Sequence, residues 1–476
     1  MQPGHIYKLL SPLYLLLWLA LSLYLGAHHE PFADEAQSYL IARDASLGDL
    51  FGRVCRTEGT PPLWFLWLKL WLFFGLPYSW LYLTSVLPNF AAVALFVYKA
   101  PFSAAVRFLF PLTYYIFYQY NIIARSYALL FLALTVLALV WQRRREKTLA
   151  CIAALLVLGS VSAHALILSG GLAGIWLWEE FRKYQNGDRG GITGKECAAL
   201  SIFTVFAVYS LWLLWPDSEN MYVQNYAPSL LFFLTNILYM MASGLVVSVW
   251  IMAEDWPLMF VGIIYFILAC IWLAQNFRRA FFMLLLPNLL FMAVVPFKPW
   301  HTGILVMTVL FIFWQNAGNK KYPPVVRAGL IALFAVQLFW SIAACVRDRS
   351  QPYSAAPAAY AFMQQEDIAP KEIALILFNT LALRPYLSGE GAGSYWDWRR
   401  NGFILRINRE ELLQYRAFAI TGEFYNIFKD KMDKIQELGG YKRKIFPAVH
   451  YFGLQDKSLE ETYYIYYRDK SNGVGK

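Results

Sequence analysis

LLSPLYLLLWLALSLYLGA, residues 9–27, is a charge-free apolar segment close to the ~20 residues that a membrane-spanning helix needs. It is longer than a typical signal-peptide core, and His28, His29, Glu30 and Pro31 follow it in place of a small-residue cleavage site. We interpret it as a retained first membrane helix. Apolar residues make up 59% of the whole chain and charged residues 15%, whereas soluble domains carry about 45–50% and about 25%.

Comparable apolar segments recur as far as Cys345. The candidate spans after the first are Trp80–Tyr98, Phe102–Tyr118, Ile122–Trp141, Leu149–Ala163, Ala165–Trp178, Ala198–Trp215, Trp256–Ala274, Ala280–Pro296, Thr302–Trp314 and Val325–Cys345. Two further stretches, Leu63–Phe74 and Leu230–Trp250, are ambiguous by hydrophobicity alone. The pattern predicts a polytopic α-helical membrane protein with about 11–13 transmembrane helices.

Basic residues cluster between these segments, and cytoplasmic loops carry such an excess of Lys and Arg. The clusters are Arg143–Lys147; Arg182, Lys183, Arg189 and Lys195; Arg278 and Arg279; and Lys320, Lys321 and Arg327. A cytoplasmic N-terminus and about eleven crossings place all four clusters in the cytoplasm. This favours interfacial or re-entrant helices for both ambiguous stretches, with about thirteen crossings as the alternative. Topology also explains the net charge of +10 without nucleic acid as a partner.

Residues 346–476 have the composition of a soluble domain, which this topology places outside the cytoplasm. Strand-like runs occur at Ile373–Phe378, Ala417–Thr421 and Tyr463–Tyr467, and helical spacing at Arg409–Arg416 and Phe424–Leu438. We therefore predict a membrane domain, residues 1–345, and a small extracytoplasmic α/β domain, residues 346–476. The cysteine spacing indicates neither a disulfide framework nor a zinc site, and no glycine-rich nucleotide motif is present.

The first external loop, residues 28–62, contains the most informative polar residues. Asp34 and Glu35 form an acidic pair that can accept a proton or hold a divalent cation, and Arg43 and Glu58 follow as candidate substrate-binding residues. The alternative is structural: the acidic pair caps a helix that starts near Ala36.

A second group of candidates lies at the other predicted external junctions. Arg125 can pair bidentately with a phosphate, beside Tyr127, although an arginine there can also extend to the membrane interface. His164, Lys298 and His301 also fall on the external side, although a histidine at a helix junction is more often structural. Their convergence on one face predicts a site.

Three stretches carry a family resemblance. ADEAQSYLIARD (33–44), EGTPPLWFLWLKLW (58–71) and YNIIARSYALLFLALTVLAL (120–139) resemble the protein O-mannosyltransferase and aminoarabinose transferase branch of the GT-C membrane glycosyltransferases, the glycosyltransferase family 39-like branch. KPWHTGILVMTVLFIFWQ (298–315) resembles a later Arg-His-Gly junction of bacterial relatives, with Trp300 in place of the arginine and Thr302 between His301 and Gly303. Thr60 stands where aminoarabinose transferases tend to have a lysine, which leaves the acceptor open.

The resemblance implies a mannosyltransferase-like enzyme of the cell envelope. Such an enzyme, in the bacterial inner (plasma) membrane, transfers a sugar from a polyprenyl-phosphate carrier to a lipid, glycan or protein acceptor on the extracytoplasmic face. Asp34 then corresponds to the general base and Glu35 to its neighbouring carboxylate. Arg125, Lys298 and His301 are the candidates for binding the donor phosphate, and Arg43, Glu58, Tyr127 and His164 for binding acceptor or substrate.

Two other classes remain open at this stage. A lipid flippase or transporter would explain the many helices, and a non-catalytic scaffold would explain the C-terminal domain. The aromatic and charged run Tyr395–Arg400 either stacks on a sugar or packs within the domain.

Overall fold

The computed structural model describes residues 3–187, 193–215, 229–244, 256–295, 298–317, 323–376, 378–387, 409–452 and 455–470. The predicted aromatic and charged run at 395–400 lies outside these residues. The chain forms two compact units. Unit 1 comprises Met1–Leu23, Leu47–Trp64 and Thr84–Ala343, and unit 2 comprises Tyr24–Ser46, Phe65–Leu83 and Ala344–Lys476.

The described part of the chain is mainly helical. Its α-helices of nine or more residues are α1 (Pro3–Gly26), α2 (Ala33–Asp44), α3 (Leu63–Phe73), α4 (Leu83–Lys99), α5 (Tyr127–Val140), α6 (Thr148–Gly159), α7 (Ala163–Gln185), α8 (Gly194–Leu214), α9 (Leu230–Ala242), α10 (Trp256–Asn276), α11 (Leu286–Val294), α12 (Thr302–Asn316), α13 (Pro324–Ser350), α14 (Ala356–Gln365) and α15 (Lys429–Gly439). Shorter α, 3₁₀ or π turns join them at Leu47–Asp49, Leu50–Val54, Cys55–Glu58, Tyr78–Trp80, Ala104–Leu109, Phe110–Leu112, Tyr114–Gln119, Trp141–Arg143, Arg278–Ala280, Phe281–Leu285, Pro299–His301, Pro370–Glu372, Phe378–Leu387, Arg409–Leu412, Gly422–Ile427 and Ser458–Glu461.

Four helical segments of the described chain are long and apolar enough to cross a membrane: Tyr78–Lys99, Gly194–Leu214, Met259–Asn276 and Pro324–Ser350. Helix α8 shows the character of such a segment, because Val205, Val208 and Leu211 are 70%, 62% and 61% exposed. Apolar side chains turned outward in this way suit contact with lipid. The predicted class of a helical membrane protein with a small C-terminal sheet is therefore supported at this coarse level.

Not every predicted span is one helix. The predicted span at 102–118 is wrong as a continuous helix, because its α-helical part ends at Leu109 and Thr113 has an extended backbone, with ψ of 154°. Pro111 lacks an amide hydrogen and interrupts the helical hydrogen bonds at this point. The predicted span at 122–141 starts as a helix only at Tyr127, so that Arg125 lies in the preceding turn.

The two ambiguous stretches form short helices. Helix α3 has 11 residues and α9 has 13, which gives lengths of about 16 and 20 Å at 1.5 Å per residue. Both are shorter than the ~30 Å hydrocarbon core of a bilayer, and their interfacial or re-entrant position stays a prediction.

Charged side chains join the first two basic clusters within unit 1. Arg144 forms an ion pair with Glu179. Arg145 donates from Nε to Glu180 Oε1 at 3.0 Å and lies 3.5 Å from Glu196 Oε1 at the start of α8. Lys183 also pairs with Glu180, at 3.3 Å. These contacts bring the ends of helices α5, α7 and α8 together.

Unit 2 contains the C-terminal sheet. Its strands are β1 (Ile373–Leu375), β2 (Ala417–Thr421), β3 (Lys442–Phe446) and β6 (Tyr463–Tyr467), in the order β1-β2-β6-β3, while β4 (Tyr451–Phe452) and β5 (Gln455–Asp456) form a separate pair. Strand β1 is parallel to β2, and the other pairs are antiparallel. Aromatic residues dominate the core, and the rings of Phe418 and Tyr466 stack at 4.6 Å.

The same unit includes the first part of the predicted external loop, up to Ser46, whereas the rest of that loop, from Leu47, belongs to unit 1. Helix α2 packs closely on the 3₁₀ segment Phe378–Leu387 of the C-terminal region. Lys69 of α3 donates hydrogen bonds to the carbonyl oxygens of Ala42 and Ala45 at 2.9 and 2.8 Å. A cation at the C-terminal end of a helix interacts favourably with the helix dipole. Helix α2 is therefore fixed at this end by α3.

Candidate functional site

Helix α2 presents the predicted acidic pair in its first turn. It begins at Ala33, three residues before the predicted start, and its N-cap residue is Phe32. Asp34 and Glu35 therefore stand inside the helix, and neither is the N-cap. Acidic side chains in the first turn are stabilised by the positive end of the helix dipole.

The two carboxylates have different environments. Glu35 is 1% exposed and accepts a hydrogen bond from the Phe32 amide at 3.2 Å, whereas Asp34 is half-buried. A base must be within reach of the group that it deprotonates. Asp34 meets this requirement better than Glu35.

His29 links Glu35 to a distant part of the chain. Its Nε2 lies 2.9 Å from Glu35 Oε2, and its Nδ1 lies 2.9 Å from Asp348 Oδ2. Because an ionised carboxylate only accepts hydrogen bonds, this arrangement requires a proton on both ring nitrogens. Burial opposes that charge, but Asp348 and Glu35 overcome it and raise the pKa of His29 well above its ordinary value. Glu35 is thus held by a buried imidazolium.

Glu461 is a second buried carboxyl group at the start of α2. Its Oε1 accepts a hydrogen bond from the Ala33 amide at 3.0 Å, and its Oε2 accepts one from the Ser354 hydroxyl at 2.7 Å. Burial raises the pKa of Glu461 to about 8, with smaller contributions from the charges of Glu460 and Asp34. Glu461 is therefore largely protonated at neutral pH.

Two more titratable groups border this cluster. Glu30 accepts a hydrogen bond from the Ser354 amide at 3.2 Å, and burial raises the pKa of its carboxyl group. The ring of His450 packs on Phe32 and Tyr353, with centroids 5.2 and 4.2 Å away. Burial, together with the charges of Lys457 and His29, lowers the pKa of His450 to about 3, so that this imidazole is neutral. We call Glu30, His29, Asp34, Glu35, Asp348, His450 and Glu461 the carboxylate cluster.

Arg43 is not part of this cluster. It lies in the last turn of α2 and donates from Nε and Nη2 to the two carboxylate oxygens of Asp44, at 2.6 and 3.0 Å. Nine residues separate it from Asp34, or about 13 Å along the helix axis. The predicted role of Arg43 in substrate binding stays a prediction.

Unit 1 brings together most of the other predicted residues. The rings of His164 and His301 lie 4.5 Å apart, and those of Tyr127 and His301 lie 6.3 Å apart. The Lys298 amide donates to His301 Nδ1 at 3.4 Å, and the Lys298 ammonium group lies 5.9 Å from the Trp300 ring. We call Arg125, Tyr127, His164, Lys298 and His301 the cationic cluster.

Arg125 influences His301 electrostatically. Burial, with contributions from His164, Arg125 and Lys298, holds the pKa of His301 well below its ordinary value. The imidazole is therefore neutral, and Arg125 and Lys298 supply the positive charge of the cluster. Arg125 is half-buried.

Aromatic residues and the first turn of α12 pack around the cationic cluster. Tyr120 stacks on Tyr127 with ring centroids 4.6 Å apart, and its hydroxyl donates a hydrogen bond to the Trp300 carbonyl. A Cβ atom added at Gly303 would lie 2.3 Å from the Tyr120 hydroxyl oxygen. Only glycine fits at this close approach. His164 also contacts Asn288 Oδ1 at 3.4 Å, which agrees with the structural alternative for this histidine.

The structure gives less support to the predicted roles of Glu58 and of a divalent cation. Glu58 is half-buried at the end of Cys55–Glu58, where Gly59 terminates the helix with φ of 61°. Within the described residues, no group of three or more His, Cys, Asp or Glu side chains is arranged to hold a metal ion. The substrate-binding role of Glu58 and the divalent cation at Asp34 and Glu35 stay predictions.

Sequence reasoning missed the C-terminal members of the carboxylate cluster. Glu461, Asp348 and His450 lie far along the chain from Asp34, and none stands in a motif. His29 was visible only as part of a polar stretch after the first helix. A buried acid of this kind becomes recognisable only when the fold shows what surrounds it.

Comparison with known proteins adds no assignment. No protein-family model matches the chain, and no curated protein matches it either.

Proposed function

We propose that this protein is an inverting membrane glycosyltransferase of the GT-C type. In this proposal it transfers a sugar from an undecaprenyl- or dolichyl-phosphate carrier to a lipid, glycan or protein acceptor on the extracytoplasmic face. The observation that best supports it is the cationic cluster, in which Arg125 lies near Lys298 and His301 although more than 170 residues separate it from them in the sequence. Two cations beside aromatic rings suit a phosphate group at a membrane surface.

The chemistry divides into two tasks. Asp34 takes the proton of an acceptor hydroxyl, whose oxygen attacks the anomeric carbon of the sugar. The bond between that carbon and the phosphate oxygen breaks, and the polyprenyl phosphate leaves with the electron pair. Arg125 and Lys298 stabilise the leaving phosphate. Base catalysis of this kind typically contributes about 10²–10⁴-fold.

Each task is assigned to a different unit, so each can be tested alone. Asp34 belongs to unit 2, and the cationic cluster belongs to unit 1. A variant of Arg125 should change the use of donor, whereas a variant of Asp34 should change turnover with donor binding retained.

The experiment is a reconstitution of the purified protein in liposomes with a panel of polyprenyl-phosphate sugars. Release or transfer of the sugar, measured by mass spectrometry, supports the proposal. Movement of the carrier between leaflets without cleavage would instead support a flippase. Neither activity with any donor would support a scaffold.

The proposed orientation has its own test. In a background without the five native cysteines, Asp430→Cys should react with an impermeant thiol reagent in intact cells, and Arg143→Cys only after permeabilisation. Arg143 is exposed and belongs to the first basic cluster, which makes it a suitable cytoplasmic site. The reverse pattern would contradict the orientation.

A further inference from the structure

We infer that Glu461 is a positioning residue: its carboxyl group holds the first turn of α2 and thereby fixes Asp34. The inference rests on the proposed function, because Asp34 matters only as the proposed base. It assigns a role to the C-terminal region, which supplies the hydrogen-bond acceptor for the first turn of α2, the helix that carries Asp34.

The first observation concerns the unfilled cap of α2. Phe32 has no polar side-chain atom, and its side chain makes no capping hydrogen bond. The first amides of a helix need acceptors from elsewhere when the N-cap residue supplies none. Glu35 satisfies the Phe32 amide, and Glu461 satisfies the Ala33 amide, directly before Asp34.

The second observation is that Glu461 is itself rigidly held. Ser354 donates to its side chain at 2.7 Å, and the Ala355 amide donates to its carbonyl oxygen at 3.1 Å. Strand β6 begins two residues later and pairs with both β2 and β3. The position of the Glu461 carboxyl group is thus fixed by its hydrogen bond with Ser354 and by the paired strand β6 that follows it.

The third observation is electrostatic. The groups that face Glu461 are Asp34 on α2, Glu460 on its own helix, and the phenols of Tyr78 and Tyr463. None of these is a cation that would stabilise an ionised Glu461. A neutral acid keeps an oxygen for the Ala33 amide and adds no repulsion to Asp34, whereas ionisation would place a second negative charge next to the base.

The test compares two substitutions of Glu461. Glutamine is nearly isosteric with the neutral acid and keeps a carbonyl oxygen for the Ala33 amide, so Glu461→Gln should retain kcat at pH 7. Glu461→Ala removes the acceptor and should lower kcat by about 10- to 100-fold with donor KM unchanged, because a misplaced base loses its geometry. Glu437→Gln, at an exposed position of α15 in the same unit, is the control and should alter neither parameter.

A pH profile adds a readout that a purely structural role would not change. The activity of the wild type should fall on the alkaline side with an apparent pKa near 8, where Glu461 ionises. Glu461→Gln has no such group and should keep its activity there. An unchanged alkaline limb in Glu461→Gln would overturn the inference.

Hydrogen exchange separates this inference from the proposed function. In Glu461→Ala the amides at the start of α2 should exchange faster than in the wild type, and in Glu461→Gln they should not. This result can be obtained even if no donor is ever cleaved. If Glu461→Ala does not fold, Ser354→Ala loosens the same carboxyl group without removing it and should also speed exchange. Native exchange in every one of these variants would refute the positioning role.

Discussion

The carboxylate cluster and the cationic cluster are built on opposite principles. In unit 2, carboxyl groups gather around one protonated histidine. Hydrogen bonds join this histidine, His29, to Glu35 and Asp348, and join the neutral acid Glu461 to Ala33 and Ser354. In unit 1, Arg125 and Lys298 lie beside neutral histidines and tyrosines. The first arrangement suits proton transfer and the second suits an anion. The difference teaches that the two units concentrate different ionisable groups, carboxyl groups in unit 2 and basic groups in unit 1.

Asp34→Asn should have the largest effect. Asparagine is almost isosteric but cannot accept the proton, so turnover should fall by about two orders of magnitude or more with donor binding intact. Asp430→Asn makes the same change at an exposed position of the same unit and serves as the control. Turnover is measured by release of the polyprenyl phosphate. Full turnover in a folded Asp34→Asn protein would remove Asp34 from the mechanism.

The second prediction concerns stability and pH. Glu461 has a pKa of about 8 in the folded protein, against an ordinary value of 4.5. Between pH 4.5 and pH 8 the folded state keeps a proton on Glu461 that the unfolded state has lost. The contribution of this group to the free energy of unfolding is therefore fully present below about pH 4.5 and is lost as the pH rises toward 8. Glu461→Gln should therefore be more stable than the wild type at pH 8, on the order of a few kcal/mol.

Denaturant unfolding in detergent at pH 5 and pH 8 measures this difference. The gain of Glu461→Gln over the wild type should be small at pH 5 and larger at pH 8. Glu437→Gln, at an exposed position of α15, should show no such trend. An equal difference at both pH values would show that Glu461 does not remain protonated in the fold.

Arg125 provides the third prediction. Arg125→Ala should weaken donor binding about tenfold or more, and Arg125→Lys should also weaken it because lysine keeps the charge but loses the bidentate fork. Arg279→Ala removes an exposed arginine of the same unit and is the control. Donor affinity is measured by titration with a fluorescent polyprenyl-phosphate sugar. Unchanged affinity in Arg125→Ala would identify Arg125 as an interfacial anchor only.

The smallest expected effect is that of Glu35→Gln. Its amide oxygen can still accept one hydrogen bond, from the Phe32 amide or from His29, and Asp34 stays in place. We expect a few-fold loss of turnover, well below that of Asp34→Asn. Kinetics of both variants at the same pH provide the comparison. An equal or larger loss in Glu35→Gln would exchange the roles of the two carboxylates.

Much of the fold could be predicted from periodic patterns. Strands β2 and β6 match their predicted ranges, and the helix predicted to end at Leu438 ends one residue later, before Gly440 with φ of 61°. Strand β3 was not predicted, because its charged residues 442–444 lack the alternating apolar pattern of a half-buried strand. The predicted boundary at Cys345 falls inside α13, because hydrophobicity marks where an apolar run ends and not where the helix ends.

The two clusters also differ in how far the sequence alone points to their residues. Arg125 and His301 could be selected as candidates from the sequence because each stands at the edge of an apolar segment, where a polar residue is conspicuous. Glu461 and Asp348 could not, because single acidic residues in a soluble region are ordinary. Only tertiary packing places them against α2, and no local pattern encodes that contact.

The central claim, transfer of a sugar from a polyprenyl phosphate, is tested most directly by a lipid analysis of cells. Cells that express the wild type, Asp34→Asn or no copy of the protein are compared by mass spectrometry of their polyprenyl-phosphate sugars and envelope glycoconjugates. The account predicts that one polyprenyl-phosphate sugar is depleted, and one glycoconjugate gained, only in cells with the wild type. Identical lipid and glycoconjugate profiles in all three strains would contradict it.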